Sequence, residues 1–136
     1  MSLVIDASVA LKWVLDEPGA VEAEALLDEI LIAPDLWIIE AANALWKRVG
    51  RGDIVAEEAA EQLQALLLAP VTTAEASQDL PAALSLALRL EHPVYDCLYL
   101  ALAIREDTKV VTADRRFFAV AERDPACKGR VRLLTP

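Results

Sequence analysis

Short apolar runs alternate with helical periods along this chain, and four acidic residues fall at the joins. Leu3-Val4-Ile5 gives way to Asp6, and Lys109-Val110-Val111-Thr112-Ala113 gives way to Asp114, so each acid marks the carboxyl end of a short buried strand. Strands that alternate with helices point to a parallel sheet with helices on both faces, because each parallel connection needs a crossover that a helix supplies. In such α/β sheets, ligands bind at the carboxyl edge of the strands. Glu40 lies inside a helical stretch over 35–49, and Asp96 opens an apolar helix over 95–104, just after the breaker Pro93. The four acids can therefore meet on one rim. Carboxylates gathered there make a cation site.

The full pattern predicts strands over 2–5, 31–33, 71–73, 109–112 and 131–134. Helices are expected over 8–15, 20–29, 35–49, 53–69, 79–90, 95–104 and 114–122, with a turn at Glu17-Pro18-Gly19. Asp35 and Asp53 are expected as helix caps, and Gly50 and Gly52 as the stop between them. Ala59, Leu63, Leu66 and Leu67 form the expected buried stripe of the fourth helix. There is no internal repeat, linker or low-complexity segment. At 136 residues the chain reads as one domain, 1–136, able to bury roughly two thirds of its unfolded surface.

A hydrophobic fraction of 56% is high, yet no stretch approaches the roughly 20 apolar residues of a membrane span. The surplus suits a sheet covered on both faces and a dimer interface. Asp6 and Lys12 interrupt the apolar run near the start, so no signal peptide is expected there. Cys97 and Cys127 have neither metal spacing nor the density of a disulfide scaffold, which makes a reducing cytoplasm the expected compartment. The net charge of −9 argues at first against a nucleic-acid partner. Its distribution softens that, since residues 1–104 hold 5 basic and 17 acidic residues (net −12) and residues 105–136 hold 8 and 5 (net +3). The basic tail is the expected phosphate-facing region.

Asp6-Ala7-Ser8 after a strand, the helical Glu40-Ala41-Ala42-Asn43-Ala44-Leu45, Tyr95-Asp96 at a helix start and Val111-Thr112-Ala113-Asp114 resemble, in that order, the motifs of PIN-domain ribonucleases. The size of the chain and the position of its first Asp look most like the VapC toxins of toxin–antitoxin pairs. That resemblance implies a five-stranded parallel sheet, a divalent metal on the acidic cluster, cleavage of RNA, a homodimer, and inhibition by a small antitoxin. The antitoxin would lay an apolar peptide along the exposed helices and set a basic side chain against the carboxylates.

The chemistry follows independently from the residue types. Two carboxylates about 4 Å apart repel by roughly 4 kcal/mol at an effective dielectric of about 20, so a pocket of three or four partly protonates unless a dication enters. Oxygen-only ligands select magnesium or manganese over zinc, and one histidine with two distant cysteines offers no soft cluster. Water activated there could hydrolyse a phosphodiester. Asp6 and Asp96 are expected as direct metal ligands, and Asp114 and Glu40 as a further ligand or as holders of the attacking water. Ser8 and Thr112, each two residues from an acid, are expected to support the carboxylates, and Asn43 to steady Glu40 or touch substrate.

Other readings stay open from sequence. Asp6 and Asp114 could be helix caps only, and Glu40 a solvated helix residue. A non-catalytic module whose acidic pocket receives a basic side chain would use the same acids. An aspartyl-phosphate phosphatase would need a second Asp where Ser8 stands. His92, alone before Pro93, reads as a surface histidine, Cys97 as a small buried helix residue, and Trp13, Trp37 and Trp46 as core or interface anchors. Four glycines form no phosphate-binding loop.

Overall fold

The computed structural model describes residues 2–135. Five strands, β1 (Ser2–Ile5), β2 (Ile30–Pro34), β3 (Val71–Ala74), β4 (Val110–Thr112) and β5 (Val131–Leu133), form one parallel sheet in the order β3-β2-β1-β4-β5. Val4 and Ile5 point to opposite sides of β1 and are both fully buried, as are Val110 and Val111 of β4, so both faces of the sheet centre are covered. The chain builds outward from β1 to β2 and β3, then crosses to the other side of β1 for β4 and β5. That reversal puts the topological switch point between the carboxyl ends of β1 and β4, where open sheets leave a crevice.

Among the described residues, seven α-helices connect the strands: α1 (Ala7–Ala10), α2 (Ala20–Ala25), α3 (Trp37–Gly50), α4 (Ala56–Leu67), α5 (Ala76–Leu90), α6 (Val94–Arg105) and α7 (Arg115–Glu122). In α6, every residue from Cys97 to Ala103 is buried, because this helix lies against β1, β2 and β4 on one side and α5 on the other. A helix apolar all round belongs in that position. Its amino end emerges at the carboxyl edge of the sheet and presents Asp96 there.

Local pattern and structure diverge where tertiary contacts compete with local signals. The helices expected over 8–15 and 20–29 tighten into 3₁₀ turns at Leu11–Trp13 and Leu26–Asp28. Between them, the Trp13 indole N–H donates to the Ala23 carbonyl at 2.8 Å. Asp35 does not cap α3, whose first turn follows Leu36 without a side-chain cap. Its Oδ1 instead accepts the Ala76 amide at 3.2 Å, tying the end of β2 to the start of α5. Asp53 is not the cap of α4 either. It faces Arg51 at 3.7 Å, while Glu58 accepts the Val55 amide at the helix start. In α4 only Leu66 of the expected stripe is buried, and Leu67 is exposed. Helix α5 begins at Ala76 rather than Asp79, and Asp79 is buried within it against the Arg105 guanidinium at 2.7 and 3.0 Å.

Leu102→Ala should cost about 3 kcal/mol, because its side chain is fully enclosed in α6 and a cavity would remain. Urea unfolding should show a lower midpoint with an unchanged slope, and a loss under about 1 kcal/mol would contradict the central place given to α6.

Candidate active site

Asp6 occupies the residue after β1, where the backbone carbonyl starts α1 by accepting the Val9 and Ala10 amides at 2.9 and 3.1 Å. Its side chain does not cap that helix. Asp6 Oδ2 instead receives the Thr112 hydroxyl at 2.6 Å and the Ser8 hydroxyl at 2.9 Å. Ser8 Oγ in turn accepts the Ala113 amide at 3.1 Å, and Thr112 Oγ1 accepts the Asp114 amide at 3.1 Å. Two hydroxyls and two amides thus stitch the end of β1 to the end of β4 across the switch point.

The other three acids arrive from different elements. Glu40 stands in the first turn of α3, where its Oε1 accepts the hydroxyl of fully buried Tyr99 at 2.5 Å. Asp96 stands in the first turn of α6, and its Oδ2 lies 2.6 Å from His92 Nε2. Asp114 is the side-chain cap of α7, its Oδ1 accepting the Arg116 and Phe117 amides at 2.9 and 3.3 Å. Asn43 is exposed one turn beyond Glu40, and among the described residues no hydrogen bond joins the two. His92 is not a surface residue. It is buried, stacked on Phe117 with ring centres 5.6 Å apart, and its Nδ1 has no partner among the described residues. That pattern assigns the ring proton to Nε2, facing Asp96.

Asp6, Glu40 and Asp96 each feel the charge of a neighbouring carboxylate. Burial chiefly raises Asp6 to about 6, outweighing the Thr112 and Ser8 hydrogen bonds, and the charge of Asp96 pushes the same way. Glu40 rises to about 7, again chiefly through burial, with Asp6 and Asp96 adding to it against the Tyr99 hydrogen bond. Asp96 is also raised by burial, His92 opposing and Asp114 adding. Among the described residues, no group of three or more Asp, Glu, His or Cys forms a ready-made cage for a metal. The hydrogen bonds above occupy one oxygen of each carboxylate, Asp6 Oδ2, Glu40 Oε1, Asp96 Oδ2 and Asp114 Oδ1, and leave its companion out of them. An all-oxygen set of mutually repelling acids around a crevice fits magnesium, which keeps several waters and needs only one or two direct carboxylates.

The basic tail does not form one surface. Lys109, Lys128, Arg130 and Arg132 line a cleft with Ser2 and Leu3 at the amino edge of the sheet, opposite the acids. Arg105 is paired with Asp79, and only the start of α7 brings tail arginines to the carboxyl edge. Parallel strands send successive chain segments to both edges, which sequence charge counts do not register. Tyr99 and His92 were likewise hidden. Tyr99 sits three residues after Asp96, the one local hint that it shares a face with the site.

The PIN-domain family model matches residues 3–123. Ribonuclease VapC3 of Pyrobaculum aerophilum is 34% identical over 130 residues, which are 93% of this chain and 97% of that protein. The crystal structure of PAE2754 from Pyrobaculum aerophilum matches with a TM-score of 0.72 at 24% identity, over 96% of this chain and 83% of that one. VapBC2 of Rickettsia felis, bound to a DNA fragment from its promoter, gives 0.68 at 16% identity, covering 98% of both chains. VapC20 of Mycobacterium tuberculosis, a sarcin–ricin-loop-cleaving toxin, gives 0.67 at 16% identity, over 86% of this chain and 93% of that one. At those identities the solved structures establish likeness of fold.

The raised acids make folding pH-dependent without divalent cations. Unfolded, Asp6 and Glu40 titrate near 3.8 and 4.5, so the folded state is favoured by their protonation, and that contribution is lost as pH rises through about 6 and 7. Glu17 and Asp124 are shifted downward, and their contribution changes only in more acid solution. In EDTA the melting temperature should therefore be higher near pH 5.5 than near pH 8. Asp6→Asn, which keeps the acceptor for both hydroxyls, should raise the value near pH 8 and flatten the dependence; a lower melting temperature in that variant would refute the electrostatic account.

Proposed function

This chain belongs to the PIN-domain family, in its VapC ribonuclease branch, and from that premise we propose that it is an endoribonuclease acting as the toxin of a toxin–antitoxin pair. The observation that carries the reading is the coupled set of Asp6, Glu40, Asp96 and Asp114 at the switch point of the sheet. Asp6, Asp96 and Asp114 would hold magnesium or manganese. When bound, the ion supplies neutralisation of the phosphate charge and a more acidic water. Glu40 would take the proton from the water that attacks phosphorus, its Oε1 held by Tyr99 and its Oε2 outside that bond. Ser8 and Thr112 hold Asp6, Tyr99 holds Glu40, and His92 orients Asp96, so the acids keep their places while substrate enters. Asn43, exposed on α3, would touch the RNA.

The antitoxin would dock in the apolar groove between α3 and α4, lined by Ala42, Leu45, Trp46, Val49, Ala59 and Leu63, where Trp46 is 69% exposed. A second copy of the chain would cover Leu80, Leu84 and Leu88, exposed at four-residue spacing along α5. No helix of the described residues is long and apolar enough to cross a membrane, and the cytoplasm is the compartment proposed.

Asp6→Asn and Asp96→Asn should each lower magnesium-dependent RNA cleavage at least about 100-fold while circular dichroism stays that of the parent chain. EDTA should abolish the activity and manganese restore it. Full cleavage by either variant would contradict the assignment of the site.

A further inference from the structure

A second cleft opens beside the acids at the same edge of the sheet. It encloses about 450 Å³ and is lined by Lys12, Glu17, Arg48 and Arg115 together with Ser8 and Ala113. Ser8 belongs to both places, since its hydroxyl donates to Asp6 and accepts from Ala113. We propose that this cleft is a phosphate subsite, in which Lys12 and Arg48, with Arg115 at the rim, hold the RNA backbone next to the bond being cut. The proposal rests on the endoribonuclease reading and adds to it the side on which the strand runs.

Charge and geometry both support it. Glu17 accepts Lys12 Nζ at 3.1 Å and Arg48 Nη2 at 2.8 Å, so a single carboxylate braces two cations. Counting Arg115, the lining carries three positive groups and one negative in a chain whose net charge is −9. Glu17 remains ionised there, because the hydrogen bonds from Arg48 and Lys12 outweigh the effect of burial. Lys12 Nζ also donates to the Pro18 carbonyl at 2.8 Å, leaving one of its three protons, and among the described residues Arg48 makes no other side-chain hydrogen bond. Gly19, at φ +93°, leaves room for the Lys12 stem, since a Cβ there would stand 3.2 Å from Lys12 Cδ. The side chains of Lys12, Glu17 and Arg48 are only 13%, 17% and 27% exposed, so the charges are fixed in place before any anion arrives.

An ion cluster that served only to pin the α1–α2 turn to α3 would need one cation for one carboxylate. Lys12 also ties the turn through the Pro18 carbonyl, but Lys12, Arg48 and Arg115 all line the cleft, where a single carboxylate answers them. The other basic cleft, around Lys109, Lys128, Arg130 and Arg132, lies at the amino edge of the strands and cannot reach a phosphate beside the acidic centre.

The test is steady-state cleavage of a single-stranded RNA over a range of salt concentrations. Lys12→Gln and Arg48→Gln should each raise KM about tenfold with kcat within about twofold, and lower the steepness of the logarithmic salt dependence by about 0.7 per contact removed. Lys128→Gln should change neither. If the unaltered chain cleaves RNA while both glutamine variants keep its KM and salt dependence, or if Lys128→Gln has the same effect as they do, the subsite is refuted and the nuclease reading stands. If the unaltered chain cleaves no RNA, both fall together. Should the glutamine variants unfold, the Arg48 Nε–H resonance of the unaltered chain decides: it should shift when a short single-stranded RNA is added with calcium, and an unmoved signal overturns the proposal.

Discussion

Asp6 sits at the end of the central strand with its carboxylate shut away from water, and much of the surrounding structure answers the cost of that charge. Burial pushes its pKa up, to about 6 even against the hydrogen bonds that favour the charge. Thr112 and Ser8 each donate a hydroxyl to the same oxygen, and both hydroxyls are oriented by amides at the end of β4. The ladder between β1 and β4 and the support of the acid are therefore one construction. A change that slipped the register of β4 would remove Thr112 from Asp6 as well as uncover the core.

The remaining acids repeat the arrangement with different partners. Tyr99 of α6, His92 in the turn before α6 and the first amides of α7 each hold one carboxylate oxygen. The result is a crevice whose negative charges repel one another yet cannot turn away. In the function proposed above, a hard dication would relieve that repulsion. Beside it, Lys12 and Arg48 share Glu17 and supply positive charge on the side where a polyanion would run. A strongly acidic chain can thus handle RNA through local placement of charge, with the overall balance of little consequence.

The regular part of this organisation was legible in the residues. The runs 2–5 and 109–112 read as strands because fully buried parallel strands are rich in Val, Ile and Leu, and the acids at their ends stood out against apolar surroundings; 71–73, an exposed edge strand, was marked by its β-branched residues after the breaker Pro70. Asp35 and Asp53 misled because a cap and a cross-link look alike in sequence: each is a short acid before a helix, and only the position of Ala76 or Arg51 in space decides which contact forms. His92 misled for a related reason. A histidine before proline usually marks an exposed turn, but Phe117 of α7 lies over this one and Asp96 accepts the hydrogen bond from its Nε2–H.

By itself, the sequence determined the fold class, the strand-ending acids and the all-oxygen character of the site, since those depend on periodicity and on the chemistry of the residue types present. Tertiary structure alone decided which hydroxyl holds which carboxylate, that Tyr99 and His92 join the site, and that the basic residues divide between opposite edges of the sheet. Those are contacts between residues as far apart as Ser8 and Thr112, and no local pattern encodes them, because the crossovers that bring such residues together are set by how the whole apolar core closes.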